Sequence, residues 1–299
     1  MTLRPLTSAI ALAAAAGLTL AGCSADAADA GGTSASETIT IGYVPSWSDG
    51  KTSGFLLGDQ FEKLGYEVEM ESLTEAAVLY TSLAEGDIDV FAGAWPERTQ
   101  AAYLEGREDA FEDLGTWYER ATITLAVPDY VDVRSLEELA DESERFDGRI
   151  VGIEPSAGQM EHTEEVGMPA YGLDEEFSLV SSSTAAMLGT LSDAVAEERD
   201  IVVTSWRPFW ANEVFGLRDL EDPQGVMGEP EGIHVLATAG FSDRFPEAAE
   251  YASGFALDDR AFGSLENLMT NEFAEGEEAA AVDAWLAEHP DALPGGLSA

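Results

Sequence analysis

One order of short motifs occurs twice in this chain, and it limits the possible folds more than any other feature. "ITIGYVPSW" (39–47) and "RIVGIEPSA" (149–157) each read as a buried strand, a Gly, and a Pro-Ser turn. Downstream of each lies an acidic turn, an apolar strand and a Trp followed by Pro: "EGDIDVFAGAWPER" (85–98) and "EERDIVVTSWRPFW" (197–210). The second pair differs in spacing by two residues, so the copies share a pattern and not an identity. Two copies of strand-Pro-Ser then strand-Trp predict two similar α/β lobes facing each other. In both copies a bulky indole, Trp95 or Trp206, stands where a strand opens into a loop. Taken alone, such a Trp caps a core edge. In an α/β lobe, however, loops at the carboxyl ends of strands hold ligands.

The intervening segments fit this reading. Strand Thr38–Val44 is followed by a helix expected from about Ser53 to Leu64, then the alternating strand "YEVEMESL" and the helix "EAAVLYTSLAEG". The apolar strand before Trp95 is expected over Ile88–Ala92, and that before Trp206 over Ile201–Val203. "ATITLAVP" (121–128) is an apolar strand cut off by Pro128, where the first crossing between lobes is placed. A helix capped by Ser135 opens the second lobe. Strand Arg149–Ile153, a helix from about Gly158, strand "FSLVSSS" and helix "TAAMLGTLSDAVAEE" follow. "GIHVLATAGF" (232–241) is the return crossing, and three C-terminal helices are expected to pack on the first lobe. The expected lobes are therefore 38–127 plus 233–299, and 128–232, joined by a two-strand hinge suited to closure over a ligand.

Residues 1–23 read as a leader. Arg4 is the only charge before the run "AIALAAAAGLTLAGC", which is too short and Ala-rich for a membrane span and fits a secretory h-region. Leu20-Ala21-Gly22-Cys23 resembles the lipobox of bacterial lipoproteins, in which the Cys thiol takes the lipid. Cys23 is the only Cys, so an intrachain disulfide is excluded. Residues 24–37 read as a polar tether. The expected location is extracytoplasmic, with the chain held to the outer face of the cell membrane by that lipid alone.

Charge removes one class of partner. The chain has 58 Asp plus Glu against 14 Lys plus Arg, a formal net charge of −44. Such a surface repels nucleic-acid phosphates and reads as solvation of a face exposed to salt. Enzyme chemistry has little support: His162, His234 and His289 lie in no HxxxH, CxxC or GxSxG context, and no phosphate loop is present. No metal or cofactor is expected. A structural lipoprotein is the other remote alternative.

Taken in order, "IGYVPSWSD", "EGDIDVFAGAWPE", "LAVPDYV", "VGIEPSAG", "VTSWRPFW" and "LEDPQGVMGEPEGIHVLA" resemble the substrate-binding proteins of ABC transporters for glycine betaine, proline betaine and choline. The resemblance runs from about residue 38 to 290. It implies a two-lobed, type II periplasmic-binding-protein-like α/β fold, an aromatic cage for a quaternary ammonium, and delivery of the solute to ABC permease subunits by a monomeric binding protein. The chemistry agrees. A trimethylammonium group has no N–H donor but carries a diffuse positive charge under an apolar skin. An indole face attracts it by roughly 0.5 to 2 kcal/mol per contact.

Trp47, Trp95 and Trp206 are the expected cage. For the polar end of the solute the candidates are the "IEPSAGQM" turn (Ser156, Ala157, Gly158) leading into a helix, Asp49, and Arg207, which is either a bidentate donor or, the reading slightly favoured, a surface ion pair with one of the many carboxylates. Trp285 is expected in the core, while Trp117 and Trp210 stay open between cleft and core. Within the resemblance, Trp47-Ser48-Asp49 keeps the Trp-x-Asp step of the choline branch. A further cage aromatic of that branch aligns with Ile123, and the His of the betaine branch between Pro and Trp is Phe209 here. The expectation is glycine betaine or proline betaine, as in osmoprotection, with choline or a carnitine-like solute as the alternative.

Overall fold

The computed structural model describes residues 38–293. The leader, Cys23 and the tether to residue 37 lie outside the described residues, as do residues 294–299. Strands β1 (Thr38–Tyr43), β2 (Glu67–Ser72) and β3 (Val90–Ala94) alternate with helices α1 (Ser48–Lys63) and α2 (Ala76–Glu85). A long strand, β4 (Phe111–Pro128), follows. Next come α3 (Leu136–Ala140), β5 (Arg149–Val151), α4 (Gly158–His162), α5 (Met168–Tyr171), β6 (Ser178–Val180), α6 (Thr184–Ala196), β7 (Val203–Arg207), α7 (Trp210–Val214) and β8 (Leu217–Asp219). Strand β9 (Glu231–Thr238) then leads into α8 (Phe241–Arg244), α9 (Pro246–Ser253), α10 (Asp259–Asn267) and α11 (Glu278–Glu288).

The duplicated motifs fold as duplicated topology. The strands run in the order β2-β1-β3-β9-β4-β7-β5-β6, with β8 on β4. In the first half β1 lies between β2 and β3, parallel to both. In the second half β5 lies between β6 and β7, again parallel to both. Each half is thus a small doubly wound sheet with a switch point beside its first strand, where such sheets bind ligands. The fold is α/β and two-lobed.

Strand β4 belongs to both halves. Phe111 to Ala121 pairs antiparallel with β9, and Thr122 to Ala126 pairs antiparallel with β7. The chain changes sheets within one strand, between Ala121 and Thr122, with no loop. The sequence predicts only residues 121–128 of it. The first ten residues, "FEDLGTWYER", carry too many charges for an apolar run, and their pairing with β9 shifts register three times.

Three other boundaries differ from expectation. Helix α1 starts at Ser48, five residues before the predicted Ser53, through Gly50, Thr52, Ser53 and Gly54. These residues are poor helix formers, and packing overrides the propensity. Gly50 sits against Gly93 so closely that a Cβ on Gly93 would lie 2.5 Å from the Gly50 Cα. Ser53 Oγ lies 2.7 Å from the Asp49 carbonyl and 3.0 Å from that of Ala92. The small residues therefore seat α1 on β3. Strand β3 runs two residues later than predicted, and β7 begins at Val203, so Trp206 lies inside a strand and not after one. The Ser135 cap forms as expected, its side chain accepting from the Glu138 N–H.

Two apolar cores result. The larger is built around Ile41, Leu57, Phe61, Phe91 and Phe241, and it takes in Trp285, whose Nε1 donates to Ser264 Oγ at 2.7 Å. The smaller, around Val127, Leu139, Ile150 and Val202, belongs to the second half. Among the described residues no helix is long and apolar enough to cross a membrane.

Candidate functional site

A narrow cleft opens between the two halves. It is lined by Trp47, Asp49, Trp95, Ile123, Ala157, Gly158 and Trp206, with Thr99, Gln100, Ile153 and Gln159. All three expected cage residues meet there, as do three of the five candidates for the polar end. None of the lining residues is Lys, Arg or His.

Each indole is fixed by a different local device. Trp47 is the N-cap residue of α1, and its Nε1 donates to Glu154 Oε2 at 3.2 Å. Trp95 directly follows β3. Its backbone N–H donates to Gln100 Oε1 at 2.8 Å and its Nε1 to Asp49 Oδ2 at 2.9 Å. Gln100 is held in turn by the Tyr80 hydroxyl at 2.7 Å. Trp206 stacks on Phe209 with ring centres 3.9 Å apart and 18° between planes. The Trp206 Nε1 is buried with no hydrogen-bond partner. All three side chains are less than a tenth exposed, so they need little further ordering when a ligand arrives.

Asp49 lies in the first turn of α1, where the helix dipole favours a carboxylate. Burial is the stronger effect and pushes its carboxyl up to about 6, against the pull of the Trp95 indole N–H and the Gly50 backbone. Behind it, on α10, Glu266 is buried with Oε1 unpartnered. Burial pushes that carboxyl up to about 8, with the charge of Asp49 acting in the same direction.

The turn after β5 contributes the opposite wall. Ala157 and Gly158 line the cleft, and the N–H groups of Gly158 and Gln159 begin α4, where no carbonyl of that helix can reach them. The Gln159 amide is committed elsewhere, to the carbonyls of Thr124 at 3.2 Å and Ser205. Thr99 is anchored by the buried Glu231, which accepts from the Thr99 hydroxyl and from the backbone N–H groups of Arg98 and Thr99.

Two of the candidates do not face the cleft. Arg207 forms a two-point pair with Asp219, Nε to Oδ2 at 3.0 Å and a terminal nitrogen to Oδ1 at 3.2 Å. Successive residues of a strand point to opposite faces, so Arg207 cannot share the side occupied by Trp206. Ser156 is also outside the lining: its hydroxyl is buried without a partner, and its carbonyl accepts from the Tyr103 hydroxyl. Trp117 is core, its Nε1 donating to the Ala92 carbonyl at 2.7 Å. Trp210 packs edge-on against Phe209, behind Trp206.

Glu154, Gln100 and Thr99 were not anticipated as parts of this site. Glu154 stands in the duplicated motif itself, but nothing local announces that its partners lie 30 and 107 residues away.

Comparison with known proteins gives a consistent picture. The family described as the substrate-binding domain of ABC-type glycine betaine transport systems matches residues 37–288. A glycine betaine/carnitine transport binding protein of Listeria monocytogenes is 35% identical over 153 residues, covering 50% of this chain. That match spans 49% of the relative, about half of its length. A lactococcal binding protein solved in its closed-liganded conformation with glycine betaine superposes with a TM-score of 0.79 at 26% identity, covering 88% of this chain and all of that one. An ABC-transporter choline binding protein solved with choline superposes with a TM-score of 0.75 at 26% identity, covering 85% and 89%.

Proposed function

Because this chain belongs to the family of substrate-binding domains of ABC-type glycine betaine transport systems, we propose that it captures a quaternary ammonium solute outside the cytoplasm and delivers it to an ABC permease. The observation that carries this reading is the meeting of Trp47, Trp95 and Trp206 on one cleft whose lining has no Lys, Arg or His. Three indole faces at roughly 0.5 to 2 kcal/mol each supply a few kcal/mol, against the cost of immobilising the solute. An ammonium that can donate hydrogen bonds gains little from the indole faces themselves, which favour the methylated group.

The preferred solute is glycine betaine or proline betaine. Its carboxylate would meet the Gly158 and Gln159 N–H groups, which have no acceptor within their own helix. One observation favours a second reading: Asp49 lines the cleft, and its carboxyl would accept a hydroxyl such as that of choline. Calorimetric titration with both solutes at matched, moderate salt separates the two. Binding of the betaine at least tenfold more tightly supports the first reading, and choline binding equally well or better replaces it with the second. Salt must be matched because a strongly acidic surface attracts a net cation at low ionic strength.

The crossing between Ala121 and Thr122 of β4 supports a first lobe formed by both ends of the chain and a second by its middle, near the predicted 38–127 plus 233–299 and 128–232. A monomer held by lipid on Cys23 through the 24–37 tether completes the reading. Cys23→Ala should release the protein from the membrane fraction or leave its leader uncleaved. Retention and processing unchanged by the substitution would remove the anchor from the proposal.

A further inference from the structure

Glu154 lies between the two halves and accepts four hydrogen bonds. Its Oε1 takes the Ser46 hydroxyl at 3.1 Å and the Thr184 backbone N–H at 2.9 Å. Its Oε2 takes the Trp47 indole N–H at 3.2 Å and the Thr184 hydroxyl at 2.8 Å. Each oxygen thus receives one donor from the β1–α1 loop of the first half and one from the start of α6 in the second. The Thr184 bonds also set the carboxylate on the N-terminus of a 13-residue helix, where negative charge is favoured. Its position is therefore fixed from its own half, and the two bonds to Ser46 and Trp47 bridge the cleft.

We propose that Glu154 is the latch of the closed state, a positioning residue that holds the halves together over the bound solute and sets the plane of the Trp47 indole. The proposal rests on the solute-binding reading above. An oxygen bridging donors of both halves keeps both only when they are close, so opening the cleft exchanges two charge-assisted bonds for water at once. One of them orients a cage wall, so closure and cage formation are one event. The latch forms whenever the halves meet, so it holds part of the ligand-free population closed and, once the solute has entered, governs its escape.

Stopped-flow indole fluorescence with glycine betaine and with choline tests this. Glu154→Gln places an NH2 group against two donors whichever way the amide turns. It should speed dissociation at least tenfold and leave the association rate within about threefold of wild type. Ser46→Ala removes a single bridging donor from a partly exposed loop. It should speed dissociation about threefold and add little in the Glu154→Gln background, while Ser46→Thr, which keeps the hydroxyl, should restore the wild-type rate. A lowered melting temperature with unchanged dissociation in both Glu154→Gln and Ser46→Ala would make Glu154 a structural residue and overturn the proposal.

Small-angle scattering of ligand-free protein gives an arm independent of solute identity. Glu154→Gln should be more expanded than wild type, and superimposable profiles would overturn the latch. If wild type bound neither solute, the functional reading would fail in the titration by itself, and scattering would still decide the latch.

Discussion

Gly158 meets Thr99 across the cleft so closely that a Cβ on Gly158 would lie 1.4 Å from the Thr99 carbonyl oxygen. No side chain fits there, and the oxygen is backbone, so it cannot swing aside. The contact joins the loop after Trp95 to the start of α4, and it exists only while the halves are together. Gly158→Ala should therefore weaken solute binding at least tenfold, measured by calorimetry, and shift the melting temperature of ligand-free protein by only a few degrees. Wild-type affinity in this variant would mean that the halves bind solute without approaching this closely.

The proposed cage predicts a graded aromatic series. Trp95→Ala and Trp206→Ala should each weaken binding at least tenfold, since a lost desolvated cation–π face is worth about 1 to 2 kcal/mol. Trp→Phe at either position should cost less, because a weaker π face remains. Alanine variants that stay folded and bind normally would reassign both indoles to packing.

Asp49 predicts that binding depends on pH. Its carboxyl is raised from the ordinary 3.8 to about 6, so it takes up a proton as pH falls through 6. A bound cation favours the ionised form, and affinity falls when that form is lost. From pH 7 to pH 5 the association constant should drop about tenfold, the limit for a group of pKa about 6 that must be ionised in the complex. Asp49→Asn should bind more weakly at pH 7 and flatten the profile. A wild-type profile already flat between pH 5 and 7 would show that Asp49 does not sense the solute's charge.

Glu266 makes a prediction about stability alone. Its carboxyl is raised from 4.5 to about 8, so the folded state holds this proton more tightly than the unfolded chain. Its contribution to stability is full below pH 4.5 and is lost as pH rises through 8. Glu266→Gln should melt several degrees above wild type at pH 9 and close to it at pH 4.5, with solute affinity at neutral pH little changed. An identical decline toward pH 9 in both proteins would locate the alkaline loss elsewhere.

The duplicated topology and the three indoles were legible because each rests on a local pattern: buried strand, turn, and bulky residue at a strand's end. The start of α1 was not. Gly50 and Gly54 look like helix breakers until the approach of Gly93 to Gly50 is known, and that contact joins residues 43 apart. Arg207 is a different case. The expected strand ended at Val203, and only the observed run of β7 through Trp206 to Arg207 makes alternation put Arg207 on the opposite face. Glu154 and Thr99 act through partners distant in sequence, which no periodicity reports. Ala157 and Gly158 were found through the turn they share, whereas Ser156 in that turn points away.

The unbroken run of β4 through both halves sets a phase between them. Ile123, which lines the cleft, pairs with Trp206 only a few residues after Ala121 pairs with Glu231. Side chains alternate along a strand, so one extra residue between them would turn Ile123 and everything after it to the opposite face. Two extra residues would restore the facing and lengthen the arm by about 7 Å. Between Ala121 and Ile123 the strand is therefore bound to a parity rule, like a frame in which only even steps keep the two halves reading the same cleft.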